Sequence, residues 1–562
     1  MILIFAPQVL LCGGTDWAKL GRKERGGKAE SANDTLVLFR SIRVKCCGLK
    51  PSFNSSPDLL EPHILRSLSN VKVRSIHTSS SGCHCIVLDV DGAAFLFGRN
   101  ERSALGVGKE EVISENAPEK LEAADLGAAE GTKFVDAACG RNHSLLVGSD
   151  GHVWSAGKND LGQCGHPVCP VISSFKLIGG PSHGGTTEHV IKAAAGVTFS
   201  ILLTETGRVF SFGSGEKGQL GRGRTGEHIV SAGKTGFDVE AEPVLVKGLD
   251  GKKIVQVACG QQHTVALDSD GLVYVWGYNG YCRLGLGNQT DELIPKVVPH
   301  FAGPNVITMG ARVAAGPSNT AVIDKQGMYW MAGKWKNSGE GSSGSPYSSF
   351  RYMQDIMACK IRHASCGGVT HWALTDDDEG GVMTVAWGQN ATNGELGFGP
   401  NEPKSATKPM KNQPLSGIDV FDVAAGQNTT FFLAKPNSKL SDLPRHPIDV
   451  HPSPECVICG IDDGDDNAAL QCDKCDNPYH LQCLKPPLTA VPDGEWFCPE
   501  CEKVSSAPVE AVSSKKGKKA KARAAEEEEE DKPEPKTAGK RKAPTKAKAG
   551  GELYIVLTLS GD

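Results

Sequence analysis

Ala138-Cys139-Gly140-Arg141-Asn142-His143-Ser144-Leu145-Leu146 returns further along the chain as Ala258-Cys259-Gly260-Gln261-Gln262-His263-Thr264-Val265-Ala266. Asp150-Gly151-His152-Val153-Trp154-Ser155-Ala156-Gly157 then matches Asp270-Gly271-Leu272-Val273-Tyr274-Val275-Trp276-Gly277. A third piece, Asn159-Asp160-Leu161-Gly162-Gln163-Cys164-Gly165, matches Asn279-Gly280-Tyr281-Cys282-Arg283-Leu284-Gly285. Self-similarity of this kind marks a repeat architecture. The leading glycines fall at Gly140, Gly196, Gly260, Gly316, Gly368 and Gly426, at intervals of 56, 64, 56, 52 and 58. An earlier copy has Ser81 at that position, followed by His84 and Asp91-Gly92, which makes seven copies.

Each copy reads as strand, turn, strand, loop. Apolar runs flank Asp91-Gly92, Asp150-Gly151, Thr206-Gly207, Asp270-Gly271 or Gln326-Gly327, and Asp-Gly between apolar runs is a hairpin signal because the turn needs positive φ. A four-stranded unit repeated radially closes into a ring with short, protected edges. Val423–Phe432 is the first half of a repeat with nothing after it, while Leu11-Cys12-Gly13-Gly14-Thr15-Asp16-Trp17 and Leu20-Gly21-Arg22-Lys23 read as a second half. The two halves complete one blade, so the apolar N-terminus is expected to be a strand. Pro7 and the lack of a basic leading stretch argue against a signal peptide there.

Composition agrees. The 562 residues include 67 Gly and 32 Pro, too many breakers for long helices, and no Gly-X-Y period points to collagen. No apolar run reaches the ~18–20 residues that would cross a membrane. The net charge of -5 averages unlike parts. Residues 503–550 carry 14 bases and 8 acids, residues 455–502 carry 2 bases and 11 acids, and the body is close to neutral.

These repeats resemble those of the regulator-of-chromosome-condensation family, with its Gly-x-x-His, Asp-Gly-x-Val-x-x-Trp-Gly and Gly-x-Leu-Gly elements. The similarity is greatest to its second, chromosomal-passenger-associated branch. Trp276-Gly277-Tyr278-Asn279-Gly280-Tyr281-Cys282-Arg283-Leu284-Gly285 and Gly394-Glu395-Leu396-Gly397-Phe398-Gly399 are the best stretches. The resemblance implies an all-β fold, a seven-bladed β-propeller. The fifth copy departs from the pattern, because Gly333-Lys334-Trp335 runs into a Gly- and Ser-rich stretch at 338–349 where Gly-x-Leu-Gly belongs. A further insertion follows Gly221-Arg222. His84, His143 and His263 are expected to be turn-stabilising core residues repeated by duplication, not metal ligands. Gly213-Ser214-Gly215-Glu216-Lys217-Gly218 fits a dinucleotide-binding pattern, but it lies in a β repeat with no helix to follow. No phosphate-binding loop, nucleophile elbow or catalytic cysteine arrangement is present, so the chain is not read as an enzyme.

Seven of the 19 cysteines lie between Cys456 and Cys501. With His480 they form four pairs: Cys456-x2-Cys459, Cys472-x2-Cys475, His480-x2-Cys483 and Cys498-x2-Cys501. Zn²⁺ takes four such ligands tetrahedrally, so eight ligands make two closed structural sites, which carry the folding of so short a module. The other cysteines sit in apolar surroundings as reduced filler, which together with zinc-type spacing indicates a reducing compartment.

The ligand order, with His fifth and Trp496 two before Cys498, resembles the plant homeodomain (PHD) finger. That family's cross-brace implies Cys456, Cys459, His480 and Cys483 on one zinc, and Cys472, Cys475, Cys498 and Cys501 on the other. The resemblance also implies binding of the histone-three tail. Readers of methylated lysine carry an aromatic cage, whereas here the cage positions are Leu470 and Pro478. Asp473, Asp476 and an acidic cluster including Asp465 and Asp466 suit an unmodified tail through charge-assisted hydrogen bonds. Pro492, Asp493 and Gly494 resemble the clamp for its free amine.

The expected organisation is a propeller over 1–437, a linker over 438–454, a finger over 455–502 and a disordered basic and acidic tail over 503–562. Lys515-Lys516-Gly517-Lys518-Lys519 and Lys540-Arg541-Lys542 flank Glu526–Asp531 and read as nuclear import signals and DNA contacts. The apolar Tyr554-Ile555-Val556-Leu557 near the end fits neither role. The expected function is a nuclear, chromatin-associated binding protein whose finger reads the unmodified histone-three tail and whose propeller is a scaffold for proteins or nucleosomes. The alternative is guanine nucleotide exchange on a small GTPase. Exchange needs no covalent chemistry and leaves no catalytic signature to find.

Overall fold

The computed structural model describes residues 7–21, 58–69, 71–231, 233–377, 380–448, 455–464, 469–473, 477–492 and 496–499. Seven sheets follow one another, antiparallel but for one short edge strand of the seventh. The first blade is built from Val73–His77, His84–Asp89 and Ala94–Arg99, with its outer strand split into Val112–Ile113 and Glu119–Leu121. The second runs Phe134–Cys139, His143–Gly148, Val153–Lys158 and Val171–Leu177. The third runs Val190–Ala195, Phe199–Thr204, Val209–Ser214 and Val239–Leu245, and the fourth Ile254–Cys259, His263–Asp268, Val273–Gly277 and Glu292–Val297. Gly310–Ala315, Asn319–Asp324, Tyr329–Gly333 and Tyr347–Tyr352 form the fifth, and Ile361–Cys366, Thr370–Asp376, Val382–Gly388 and Ala406–Lys411 the sixth.

The seventh blade joins the two ends of the ring, as the half-repeats predict. Val420–Ala425 and Thr429–Ala434 are followed in the sheet by Gln8–Gly13 and then Leu59–Leu65. Gln8–Gly13 pairs with Thr429–Ala434 in unbroken register, from Gln8 opposite Ala434 to Gly13 opposite Thr429. All six residues of that N-terminal strand are buried. The chain therefore closes its own sheet edge instead of leaving it open to other strands.

The middle strands are the driest part of each blade. His143–Gly148, Phe199–Thr204, His263–Asp268 and Asn319–Asp324 are buried throughout, because both faces of each pack against neighbouring blades. The turn glycines Gly92, Gly151, Gly207, Gly271 and Gly327 have φ between 80° and 99°, a region that L side chains avoid. The residue before each of these glycines does not share the positive φ. In the first, fourth and fifth blades an acid further back, Asp89, Asp268 or Asp324, fixes the turn instead: Asp268 Oδ1 accepts the N–H groups of Asp270, Gly271 and Leu272.

The repeated histidines are buried and span blades. Nε2 of His84 lies 2.9 Å from Ser144 Oγ, that of His143 2.9 Å from Ser200 Oγ, and that of His263 3.1 Å from Thr320 Oγ1. Each hydroxyl already donates to a carbonyl, of Ala104, Gln163 and Arg283 respectively, so each histidine donates from Nε2. They are buried core residues, as the sequence suggested. His143 and His263 lie against the leading glycine of their own copy, where a Cβ on Gly140 would overlap His143 Cε1 and one on Gly260 would overlap His263 Cε1. All three also tie their blade to the next. Burial holds His84 at about 4 and His143 at about 3, and pushes His263 well down; all three are neutral.

Four details differ from the sequence reading. The motif glycine of the sixth blade is Gly367, not Gly368: its N–H donates to Thr370 O at 2.8 Å, as that of Gly140 does to His143 O. The Gly- and Ser-rich stretch of the fifth blade is a loop only to Pro346, because Tyr347–Tyr352 is the outer strand. The insertion after Gly221-Arg222 holds a hairpin, His228–Ser231 with Lys234–Gly236.

The fourth concerns the first half of the expected linker, which packs on the propeller. Asn437 caps the helical turn Ser438–Ser441, and Leu440 and Leu443 are buried in its core. Arg445–His446 then adds a fifth strand to the seventh blade, parallel to Leu59–Leu65. Among the described residues no helix is long and apolar enough to cross a membrane. The tail over 503–562, with its basic clusters and apolar end, lies outside the described residues.

Candidate functional site

Metal-ligating side chains converge in the finger. The ligand atoms of Cys456, Cys459, His480 and Cys483 all lie within 4.8 Å of one another. The fold brings them together through a two-stranded sheet, Leu470–Gln471 with Pro478–Tyr479, which presents His480 at the end of its second strand. His480 Nδ1 faces the thiols, 3.4 Å from Cys459 Sγ and 3.9 Å from Cys483 Sγ. Its Nε2 lies 3.6 Å from Asp463 Oδ2, beyond hydrogen-bond distance, and has no hydrogen-bond partner among the described residues. Burial opposes ionisation of Cys456, but N–H donors from His480, Cys459 and Ile458 outweigh it and bring the thiol down to about 7. Three sulfurs and one imidazole at this spacing fit a tetrahedral zinc ion.

Half of the second ligand set is described. Cys472 and Cys498 are buried, and the Cys498 N–H donates to Cys472 Sγ at 3.2 Å. Cys475 and Cys501 lie outside the described residues. A small core surrounds the two buried thiols, made of Tyr479 and Leu484 with Leu488, Trp496 and Phe497 against them. Tyr479 and Trp496 meet edge to face at 5.7 Å, so Trp496 packs as its place before Cys498 suggests.

The residues read as histone contacts divide into three groups. Leu470 is half-buried on the short strand, opposite Tyr479, and Pro478 is buried on the partner strand, opposite Gln471; no aromatic ring stands at either position. Asp473 is engaged within the finger, where its Oδ2 accepts the Trp496 N–H at 2.6 Å and its own N–H donates to Trp496 O at 2.9 Å. Its carboxylate is a brace for the second ligand loop. Pro492 is described, while Asp465, Asp466, Asp476, Asp493 and Gly494 lie outside the described residues.

Two features of the propeller, one exposed and one buried, were not legible as sites. The hairpin of the third blade stands out, with Ile229 84% and Val230 64% exposed, although both residues favour burial. Its base is held by Arg222 to Glu240 at 2.5 Å and Arg224 to Asp238 at 2.9 Å. At the ring closure, Glu395 stands where Gln163 and Gln219 stand in other blades. Its Oε2 accepts the Asn393 N–H at 2.9 Å and its Oε1 is buried without a hydrogen-bond partner. Burial raises this carboxyl to about 7.

A ring of seven four-stranded blades joined to a cysteine- and histidine-rich metal module defines a propeller–zinc-finger protein. Residues 8–432 match the RCC1-like domain family, and residues 456–501 match the PHD-finger family. The chain belongs to the RCC1-like propeller family and carries a PHD zinc finger after the propeller. Protein RCC2 of Mus musculus is 32% identical over 461 residues, covering 78% of this chain and 79% of that protein. Protein RCC2 of Homo sapiens is 30% identical over 460 residues, covering 78% and 79%. These relatives accord with the branch that the sequence resembles. Among solved structures, Prp20p from Saccharomyces cerevisiae, studied for its binding to Gsp1p and histones, is 18% identical with a TM-score of 0.58, covering 78% of this chain and 94% of that one. Human WBSCR16 is 22% identical with a TM-score of 0.57, covering 76% and 99%. Both share the fold.

Proposed function

We propose that this chain is a nuclear chromatin reader and scaffold. Its finger takes the unmodified N-terminal tail of histone three, its propeller presents loops to nucleosomal or protein partners, and its basic tail holds DNA. Two structural zinc ions build the finger, one on Cys456, Cys459, His480 and Cys483, the other on Cys472, Cys475, Cys498 and Cys501. The observation that carries the reading is the strand Leu470–Gln471. It is paired on one side by Pro478–Tyr479, and among the described residues no strand covers its other edge. An extended peptide adds to such an edge through its main chain, and side-chain surroundings select among peptides. With Leu470 and Pro478 where rings would hold a quaternary ammonium, an unmodified lysine is favoured. The binding of Prp20p to histones is in keeping with a chromatin role for the fold. Pull-down of nucleosomes and histone-three peptides by the full chain tests this. A Cys472→Ala chain loses the tail peptide while its propeller stays folded; retention of the peptide would place the reader elsewhere.

A second reading is favoured by the exposed Ile229-Val230 hairpin. A rigid ring with a projecting apolar finger suits a surface that opens a small GTPase and stabilises its nucleotide-free form. The binding of Prp20p to Gsp1p is in keeping with this. Release of a fluorescent GDP from Ran-, Rac- and Ral-type GTPases, with the full chain and an Ile229→Asp/Val230→Asp variant, separates the two readings. Acceleration by the parent chain alone favours exchange.

A further inference from the structure

All five cation–π contacts among the described residues fall between Lys217 and Arg351, in the third to fifth blades. Three of those blades' loops make one continuous strip. Lys217 Nζ, from the third blade, lies 5.7 Å from the ring of Tyr278 in the fourth, and the Arg283 guanidinium lies 4.4 Å from the same ring. Lys334 of the fifth blade reaches back over Tyr281 at 5.2 Å, and Lys336 beside it lies over Trp335 at 4.7 Å. The loops are in close contact: a Cβ on Gly277 would meet Gln219 Cα at 3.2 Å, and one on Gly333 would meet Arg283 Cα at 3.0 Å.

The backbone here is fixed in an unusual shape. Tyr281 and Cys282 have φ of 59° and 57°, left-handed values that bulky residues rarely adopt. Tyr281 is held there by its N–H to Gln289 Oε1 at 3.2 Å, and its side chain is 37% exposed. Arg283 is buried and locked by bonds from Nε to Gly280 O and from Nη1 to Pro317 O. The acids nearby are already engaged. Asp291 accepts the Asn279 N–H at 2.8 Å, and Glu216 lies 3.5 Å from Lys217, a loose pair that a phosphate displaces.

From the exposed ring of Tyr281 beside the partly buried ring of Tyr278, and from the cations placed on them, we infer that the strip from Lys217 to Lys336 binds single-stranded nucleic acid. Rings stack bases without regard to sequence, and flanking cations meet the phosphates. Lys217 and Lys334 take phosphates on either side of the tyrosines, and Tyr281 offers its exposed ring to a base. An acidic peptide would use the cations and leave the rings idle, which makes it the less favoured occupant. The site is separate from the finger and stands whether or not the finger reads histones.

The test uses the full chain and a fluorescent polyuridine of about 12 nucleotides, within the range of known single-strand sites, with 4-thiouridine for photo-crosslinking. Lys217→Gln and Lys334→Gln each weaken binding several-fold and lower the slope of log affinity against log salt by about 0.7, one phosphate each. Tyr281→Leu weakens binding about tenfold with the slope unchanged, as loss of a stacked base requires. Cross-links fall on the peptide containing Tyr278 and Tyr281. Cross-links confined to residues 503–562, with all three variants unchanged, would overturn the inference. So would a polyglutamate peptide losing as much affinity to the two lysine variants while Tyr281→Leu leaves the oligonucleotide untouched. Thermal unfolding of each variant confirms that the propeller is intact.

Discussion

Glu115 and His446 stand 331 positions apart in the chain, and their side chains meet at 2.6 Å between Oε1 and Nε2. The other oxygen of Glu115 accepts the Trp17 Nε1–H, also at 2.6 Å. One buried carboxylate therefore joins the segment after the N-terminal strand, the first blade and the segment that leaves the propeller. Arg66 adds bonds to the carbonyls of Pro447 and Ile448. Replacing His446 by Leu leaves Glu115 half-paired in a dry site, which costs about 3 kcal/mol. Ending the chain before Arg445 has a similar effect. Thermal unfolding of the propeller measures both; an unshifted midpoint would show that the closure does not depend on this contact.

Glu395 makes stability fall between weakly acid and neutral pH. Its folded pKa of about 7 lies above the ordinary value of 4.5. The stability it contributes is whole below about 4.5 and is lost as the pH rises through about 7. Glu395→Gln, which restores the residue of the other blades, stabilises the chain at pH 8 by an amount on the order of 3 kcal/mol and changes little at pH 4.5. Unfolding midpoints at the two pH values check it. Equal effects at both would mean that the carboxyl is charged in the fold.

The histidine ties act in the opposite direction. His84 and His143 are held at about 4 and 3 by burial, and His263 is pushed well down. Their folded values lie below the ordinary 6.5, so the stability they contribute is present above about 6.5 and is lost as the pH falls towards 3–4. His143→Gln keeps a donor for Ser200 and flattens the fall. A parent profile that is level from pH 7 to 4 would contradict the neutral ties.

Metal removal separates the modules. A chelator unfolds the finger, whose core is four buried residues and a few half-buried ones, and leaves the propeller transition in place. Elemental analysis of the full chain finds two zinc ions, and Cys456→Ser reduces that number. Loss of the propeller transition on chelation would contradict the division.

Much of the ring was legible because duplication writes the same physics several times. Gly92, Gly151 and Gly271 are needed for the same positive φ, so they recur at the same place, and the half-repeats at the two ends declare the shared seventh blade. The set Cys456, Cys459, His480 and Cys483 was legible because metal geometry fixes the spacing of its pairs. What escaped has no period. Arg445–His446 is too short a strand to show an alternation, and the capping of a turn by Asp268 depends on where one oxygen points. Asp473 resembles a free acid in the sequence because only the folded chain brings the Trp496 N–H to it. Gly367 and Gly368 are adjacent, and only the bond to Thr370 decides between them.

Calorimetric titration of the full chain with an unmodified histone-three N-terminal peptide, and with the same peptide trimethylated on lysine, tests the reader function most directly. Binding to the unmodified peptide that weakens on trimethylation is the expected result. Equal or tighter binding of the trimethylated peptide would contradict it.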